Sequence, residues 1–447
     1  MLAAAALLAT AQIAALHGVR LDDAFITFRY GQNLALGRGL VFNPGDALLG
    51  TTSPGCALLS GLVYAAVGRE LTPSVMSALG CLGWTAQAAL LHALLRGAPP
   101  RVVALGASLA IGAGLAGSYA FMPLETNVVA ALVLGAMVLA MRERWAASGA
   151  VLGAAIVVRP DAAIAAAAIL SFATFRLRRG VARPIGAMLT VLGPWLVFAG
   201  ATYGTPIPHT LGAKVHHATL AAYALHLAKV PMPSAPVMAL VPLWGFAAFG
   251  ARQLVRRDPR LAVLVAAGVA HGLAYLVLRP GTAFGWHLYP VALLVTATAA
   301  VGALEAAGRL APVAAMAVVA LGAWQAIDFA GRYRTEFWYG RREAVQREVG
   351  EYLRAHADPN DVFDAEEVGT VAYFSDLRAS DHPGLVTRDP RAAHACAKSP
   401  SCPQPRWLVM NPLELTSHAQ LCRGCAVVTA GTGDGTLFVA DRAAQKR

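Results

Sequence analysis

Two carboxylates stand side by side at Asp22 and Asp23, just past an apolar run at 2–16. Opening a helix needs only one capping carboxylate, as Asp22 would supply from an N-cap position. Two adjacent ones repel each other, so the pair suggests chemistry, with one acid as a general base within hydrogen-bond reach of a hydroxyl. One base is enough only for certain reactions. An ordinary glycoside needs a second carboxyl to protonate a poor leaving group. A sugar joined to phosphate does not, because phosphate leaves as a stable anion and asks for cations and N–H donors instead.

Other residues could supply such contacts. A helix running on from Asp22 places Asp22, Ile26, Arg29 and Asn33 on one face, with Tyr30 beside them. Gly37, Gly39, Pro44 and Gly45 then turn the chain back. Arg29, Arg159 and Lys214 are the candidates for phosphate or sugar contact, and Tyr30, Asn33, Glu125, His209 and His287 for further substrate binding. Each has a plainer reading. Glu125 opens an apolar helix, where the helix dipole favours an acid. Arg159-Pro160-Asp161 is a polar turn between two short helices. Lys214, His216, His217, His226 and Lys229 form a basic amphipathic stretch that suits a membrane surface. Trp286, His287 and Tyr289 suit an interfacial aromatic belt before sugar stacking. The paired histidines lack the spacing and acidic company of a metal site, so no metal is expected. No nucleotide loop or dinucleotide fingerprint occurs, so no cofactor is expected.

The elements that must position these residues follow from composition. Of 447 residues 57% are hydrophobic and 14% charged, against about a quarter charged in an ordinary soluble domain. Ten of the 25 acids fall in 1–330 and fifteen in 331–447, which separates a lipid-embedded body from a water-exposed tail. The net charge of +11 does not indicate nucleic acid, because the arginines are spread through short loops between apolar runs. Apolar segments occur at about 2–16, 54–68, 72–95, 102–120, 126–141, 147–158, 162–175, 184–202, 236–251, 261–278, 287–304 and 311–329. The five most basic short loops all face the cytoplasm if 54–68 lies at the interface without crossing. The expectation is an all-α polytopic bundle of about 11 transmembrane helices over 1–330, with a first outer loop at 17–71. A small extracytoplasmic α/β domain follows at 331–447, with the chain in a bacterial inner membrane. In that tail an amphipathic helix is predicted at 341–356 and strands at 362–363, 368–374, 407–410, 426–429 and 436–440. Cys396, Cys402, Cys422 and Cys425 are disulfide candidates outside the cytoplasm, with three possible pairings, and their spacing also admits a zinc site.

The loop DDAFITFRYGQNLALGRGLVFNPGD resembles the first extracytoplasmic loop of GT-C membrane glycosyltransferases, in particular the mycobacterial terminal arabinofuranosyltransferase group and its bacterial relatives. PLETN at 123–127, RPD at 159–161, YGTPIPHTLGAK at 203–214 and DVFDAEEVGTVAYFSDLRASDHPGLVTR at 361–388 are similar to family elements in the same order. The resemblance implies an inverting transferase that uses a polyprenyl-phosphate sugar, with Asp22 or Asp23 as base. The acceptor would be a cell-envelope glycan, lipid or protein. His209 stands where the family pattern has Asn, and ALLGTTSP after Asp46 departs from the acidic arabinosyl version. The competing expectation is a transporter or lipid flippase without catalysis, which would place ionisable groups at mid-membrane and often shows inverted repeats.

Overall fold

The structure is a computed structural model that describes residues 20–95, 125–177, 181–210, 218–231, 237–280, 285–310, 313, 320, 324, 327, 342–381, 384–387, 405–411, 426–430 and 437–441. The apolar segments 2–16 and 102–120 and almost all of 311–329 lie outside these residues. So do Lys214 and the four cysteines of the tail.

The described helices in chain order are α1 (Asp22–Ala35), α2 (Pro54–Leu94), α3 (Thr126–Met141), α4 (Trp145–Val158), α5 (Ala162–Leu177) and α6 (Ala182–Tyr203). They continue with α7 (Leu220–Lys229), α8 (Val237–Arg257), α9 (Ala262–Leu278), α10 (Tyr289–Ala307), α11 (Arg342–His356) and α12 (Gly369–Ser375). Among the described residues four helices are long and apolar enough to cross a membrane: Pro54–Leu94, Ala182–Tyr203, Pro259–Leu278 and Tyr289–Leu310. In α2 the helix breaks at Gly68, with φ 77° and ψ −179°, so 54–67 and the following segment are separate helical pieces.

Two compact units emerge. One comprises Met1–Gly18, Ser77–Val197 and Lys214–Gly331, the other Val19–Met76, Phe198–Ala213 and Arg332–Arg447. In this division the described residues of the tail fall in one unit with the first loop and with residues 198–210.

In the helical unit, basic residues close the apolar runs as the helix dipole prefers. Arg256 and Arg257 occupy the last turn of α8, and Asp258 caps the next turn through Arg260 N at 3.0 Å. Leu91, Leu134, Leu152, Ile169, Leu254 and Val301 share one buried cluster. Backbones approach closely between α8 and α10. A Cβ on Gly302 would lie 2.0 Å from the Phe246 carbonyl oxygen, and one on Gly250 would lie 1.9 Å from that of Thr298. Between membrane helices, where lipid removes the hydrophobic drive, this small-residue packing supplies much of the attraction.

The second unit is built on a five-stranded sheet of β1 (Val362–Ala365), β2 (Arg378–Asp381), β3 (Trp407–Met410), β4 (Ala426–Ala430) and β5 (Leu437–Asp441), in the order β2-β1-β3-β5-β4. Strand β1 pairs parallel with β2 and β3, and β5 pairs antiparallel with β3 and β4. Helix α11 buries Val345, Val349 and Leu353, the predicted stripe. The segment 368–374 corrects the prediction. Its β-branched and aromatic residues favour a strand by propensity, yet Gly369–Ser375 is a helix with every residue buried. Phe25 and Phe28 of α1 pack edge-on or tilted against Tyr373, at 5.4 and 6.2 Å between ring centroids. The side-chain amide of Asn43 bonds Ala379 O at 2.9 Å and Ala379 N at 3.0 Å, covering the edge strand β2.

The helix crossing gives a direct test. Gly302→Leu should destabilise the protein in nanodiscs by on the order of 3 kcal/mol or prevent folding, since overpacking forces backbones apart. Gly245→Leu, where a Cβ meets nothing within 4 Å, should leave the thermal unfolding midpoint nearly unchanged. Equal midpoints for the two variants would contradict the packing.

Candidate functional site

Candidate functional side chains gather in two places, one in each unit. In the helical unit the nucleus is the turn Arg159-Pro160-Asp161. A residue preceding proline is driven out of the helical region, and Arg159 is extended at φ −154° and ψ 118°, which ends α4. Arg159 is 5% exposed, and its guanidinium pairs with Asp161 at 2.9 Å and with Glu125 at 3.7 Å. It also donates to Trp286 O at 3.3 Å and to Thr126 Oγ1 at 3.5 Å. Tyr275 Oη donates to Asp161 Oδ2 at 2.8 Å, and the Tyr275 ring stacks on His287 at 5.6 Å. His271, one turn before Tyr275 on α9, bonds His287 O through Nε2 at 2.8 Å.

A second polar chain adjoins this cluster. Tyr289 Oη donates to Gln87 Oε1 at 2.7 Å, and Gln87 Nε2 donates to Asn127 Oδ1 at 2.8 Å. Arg159, Asp161, Thr126, His271 and Tyr289 line a cleft of about 730 Å³, whose remaining wall is apolar, including Leu134, Met137, Leu264 and Leu293. One end can therefore satisfy a polar headgroup while the walls suit a hydrocarbon chain.

In the second unit, the first loop is tied into the sheet. Leu21 and not Asp22 occupies the N-cap position of α1. The Asp22 carboxylate instead accepts from Gly369 N at 3.0 Å and Thr370 N at 2.7 Å, so it caps α12 from 347 or more residues away. Gly369 permits this approach, because a Cβ there would lie 2.2 Å from the Asp22 carbonyl oxygen. Burial raises the Asp22 carboxyl above its usual range, the two N–H bonds oppose that rise, and the charge of Asp23 adds to it. Glu367 lies in the same acidic group. It pairs with Arg342 at 2.5 Å and accepts from Gln346 Nε2 at 2.6 Å. Burial, followed by the charge of Asp22, nevertheless pushes its carboxyl up to about 8.

Three predicted substrate contacts have structural roles. Arg29 is 0% exposed, is ion-paired with Asp376, and donates to the carbonyls of Asp376 and Leu377. A guanidinium enclosed this way is not available to a phosphate. Burial works against ionising Asp376, but Arg38 and Arg29 together hold its carboxyl below the usual range. Tyr30 Oη donates to Leu48 O and accepts from Gly50 N, both at 2.6 Å, and Asn33 Nδ2 donates to Val41 O and Phe42 O. Both residues fix the loop and are fully buried. His209 is half-buried in this unit and donates its backbone N–H to Leu49 O at 2.7 Å.

The structure thus brings Glu125, Arg159 and His287 together, and places Asp22, Asp23, Arg29, Tyr30, Asn33 and His209 in the other unit. Sequence reasoning passed over His271, Tyr275, Gln87, Glu367 and Asp376 as site residues. His271 and Tyr275 had a usable signal, being four apart on one face of an otherwise apolar helix.

A family model described as "Domain of unknown function (DUF8728)" matches residues 332–433. No curated protein matches the chain. Solved structures share its fold, among them two of one protein. The crystal structure of ArnT from Cupriavidus metallidurans bound to undecaprenyl phosphate is 14% identical, with a TM-score of 0.65 over 99% of this chain and 98% of that one. The apo structure of the same protein is 13% identical, with a TM-score of 0.66 over the same shares.

The raised Glu367 carboxyl predicts a pH dependence. The folded state holds the proton more tightly than the unfolded chain, so the stabilisation is full below about 4.5 and is lost as pH rises through about 8. Glu367→Gln should flatten the decline of the thermal midpoint across that window. A variant whose midpoint falls as steeply as the wild type would refute the assignment.

Proposed function

We propose that this chain is an inverting glycosyltransferase that takes its sugar from a polyprenyl-phosphate carrier at the outer face of a bacterial cell membrane. The observation that carries this reading is the cleft of the helical unit, an apolar channel ending in Arg159, Asp161, His271 and Tyr289. Its shape and chemistry suit an amphiphile with a long hydrocarbon tail and a small polar head. The first-loop resemblance supports the reading, as does a fold shared with a protein whose structure was determined with undecaprenyl phosphate.

The roles are assigned residue by residue. The prenyl chain takes the apolar wall of the cleft, and Arg159 and His271 meet the head. Lys214, outside the described residues, is assigned to the phosphate. The general base is Asp23. Asp22 has both carboxylate oxygens on backbone N–H groups of α12, which makes it a positioning residue. Asp23 takes the proton of an acceptor hydroxyl, whose oxygen attacks the anomeric carbon of the donor. The bond from that carbon to phosphate oxygen breaks, the configuration inverts, and the polyprenyl phosphate leaves as an anion. Glu125 and Asp161 hold Arg159 in place through ion pairs at 3.7 and 2.9 Å. The acceptor is a hydroxylated envelope glycan, lipid or protein.

Two measurements test these roles. Native mass spectrometry should show undecaprenyl phosphate bound to the wild type and lost from Leu293→Trp, which fills the cleft; retention at wild-type occupancy would remove the carrier from this site. In a deletion strain, Asp23→Asn should lower incorporation of the missing sugar by about 10²- to 10⁴-fold, the usual worth of a general base. Asp22→Asn should retain activity within about tenfold, because the single amide oxygen still accepts from one of the two cap N–H groups. Full restoration by Asp23→Asn would overturn the base assignment.

A further inference from the structure

The sheet of the second unit has a reversal in its strand order. The crossover from β1 through α12 places β2 on one side of β1, and the chain then returns to lay β3 on the other side. In open α/β sheets, ligands bind outside the carboxyl ends of the strands at such a switch point. A crevice of about 280 Å³ lies there in this structure, at the ends of β1 and β3. Arg342 and Gln346 of α11, Glu366 and Glu367 after β1, and Asn411 after β3 line it, with Val409 among its apolar members.

The usual occupant of such a crevice is a phosphate seated on the helix that follows the first strand. Here the Asp22 carboxylate already holds the leading N–H groups of that helix, at 3.0 and 2.7 Å. A phosphate group would have to displace an anion of this chain and would meet Glu366 and Glu367 besides. What the crevice offers instead is a set of planar side chains with paired donors and acceptors. Gln346 is 3% exposed and held by Glu367 at 2.6 Å, while Asn411 reaches Glu366 at 3.5 Å. Amide, carboxylate and guanidinium groups together on this lining match the hydroxyls of a sugar, each of which both donates and accepts.

We propose that this crevice is a saccharide-binding site of the C-terminal unit, specific for an uncharged sugar. Its identification with the acceptor side of the transfer rests on the function proposed above; its binding of sugar does not. The full chain in lipid nanodiscs, free of maltoside detergent, is titrated with the methyl glycosides of glucose, galactose, mannose and arabinose, and with uridine monophosphate. Saturation-transfer NMR reports binding. At least one glycoside should bind, and Glu366→Ala and Asn411→Ala should each weaken it tenfold or more with an unchanged unfolding midpoint. Binding of none of the four, binding of the nucleotide in their place, or glycoside binding untouched by both variants would overturn the site. A variant that loses glycoside binding in a protein shown to lack transferase activity would keep the site and remove its acceptor role. With activity present, both variants should raise KM for the acceptor and spare kcat; an unchanged KM would separate the crevice from the acceptor.

Discussion

The carboxylate of Asp22 on the N-terminus of α12 sets much of the second unit's arrangement. A seven-residue helix cannot stand alone, because its leading N–H groups are unsatisfied and nucleation is costly. Here the cap comes from Asp22, roughly 350 residues earlier in the chain, so α12 and the first loop form together. Arg29 reinforces the far end of the same helix, where Asp376 sits in the left-handed region at φ 66° and closes it. The loop from Gly37 to Gly50 is then fixed by Tyr30, Asn33 and Arg378, and its Asn43 covers the edge of β2. Removing the cap loosens both ends of this connection.

This dependence explains what the sequence could and could not reveal. Helix α11 was legible because its apolar spacing, Val345, Val349 and Leu353, is local information. Strands β4 and β5 were legible because strand-forming runs stand at 426–429 and 436–440, and the two pair antiparallel from Ala426↔Asp441 to Ala430↔Leu437. The run 368–374 was misread because its residues favour a strand locally, and the deciding groups, Asp22 and the packing against Phe25, are distant in sequence. Arg29 failed as a substrate contact for the same reason. A single arginine on a helix face does not disclose that Asp376 waits across the fold. The RPD turn could be read as polar, but only the structure joins Tyr275 and His271 to it.

That turn poses its own physical problem. Helices α4 and α5 have 14 and 16 residues and rise roughly 21 and 24 Å. Both are shorter than the roughly 30 Å of a hydrocarbon layer. With Arg159 only 5% exposed, its charge cannot rely on water. Arg159 therefore carries its own counter-charges in Asp161 and Glu125, and Asp161 takes a further bond from Tyr275. Buried pairs of this kind add little net stability against an apolar replacement, yet losing one partner costs about 3–5 kcal/mol. Their persistence in an otherwise apolar bundle argues for a task beyond packing.

The same reasoning bears on why the cleft is polar at one end only. If the cluster served only to close a turn, leucine and methionine of equal volume would do so at lower desolvation cost. A transport pathway would in turn need polar groups continued along the cleft, whereas its further walls are Leu134, Met137, Leu264, Leu293 and Leu294. An amphiphile that enters along those walls and stops at Arg159 and His271 accounts for both halves. Under the function proposed above, the polar groups would meet its head, and the apolar lining beyond them would keep its tail in an environment as apolar as the lipid it left.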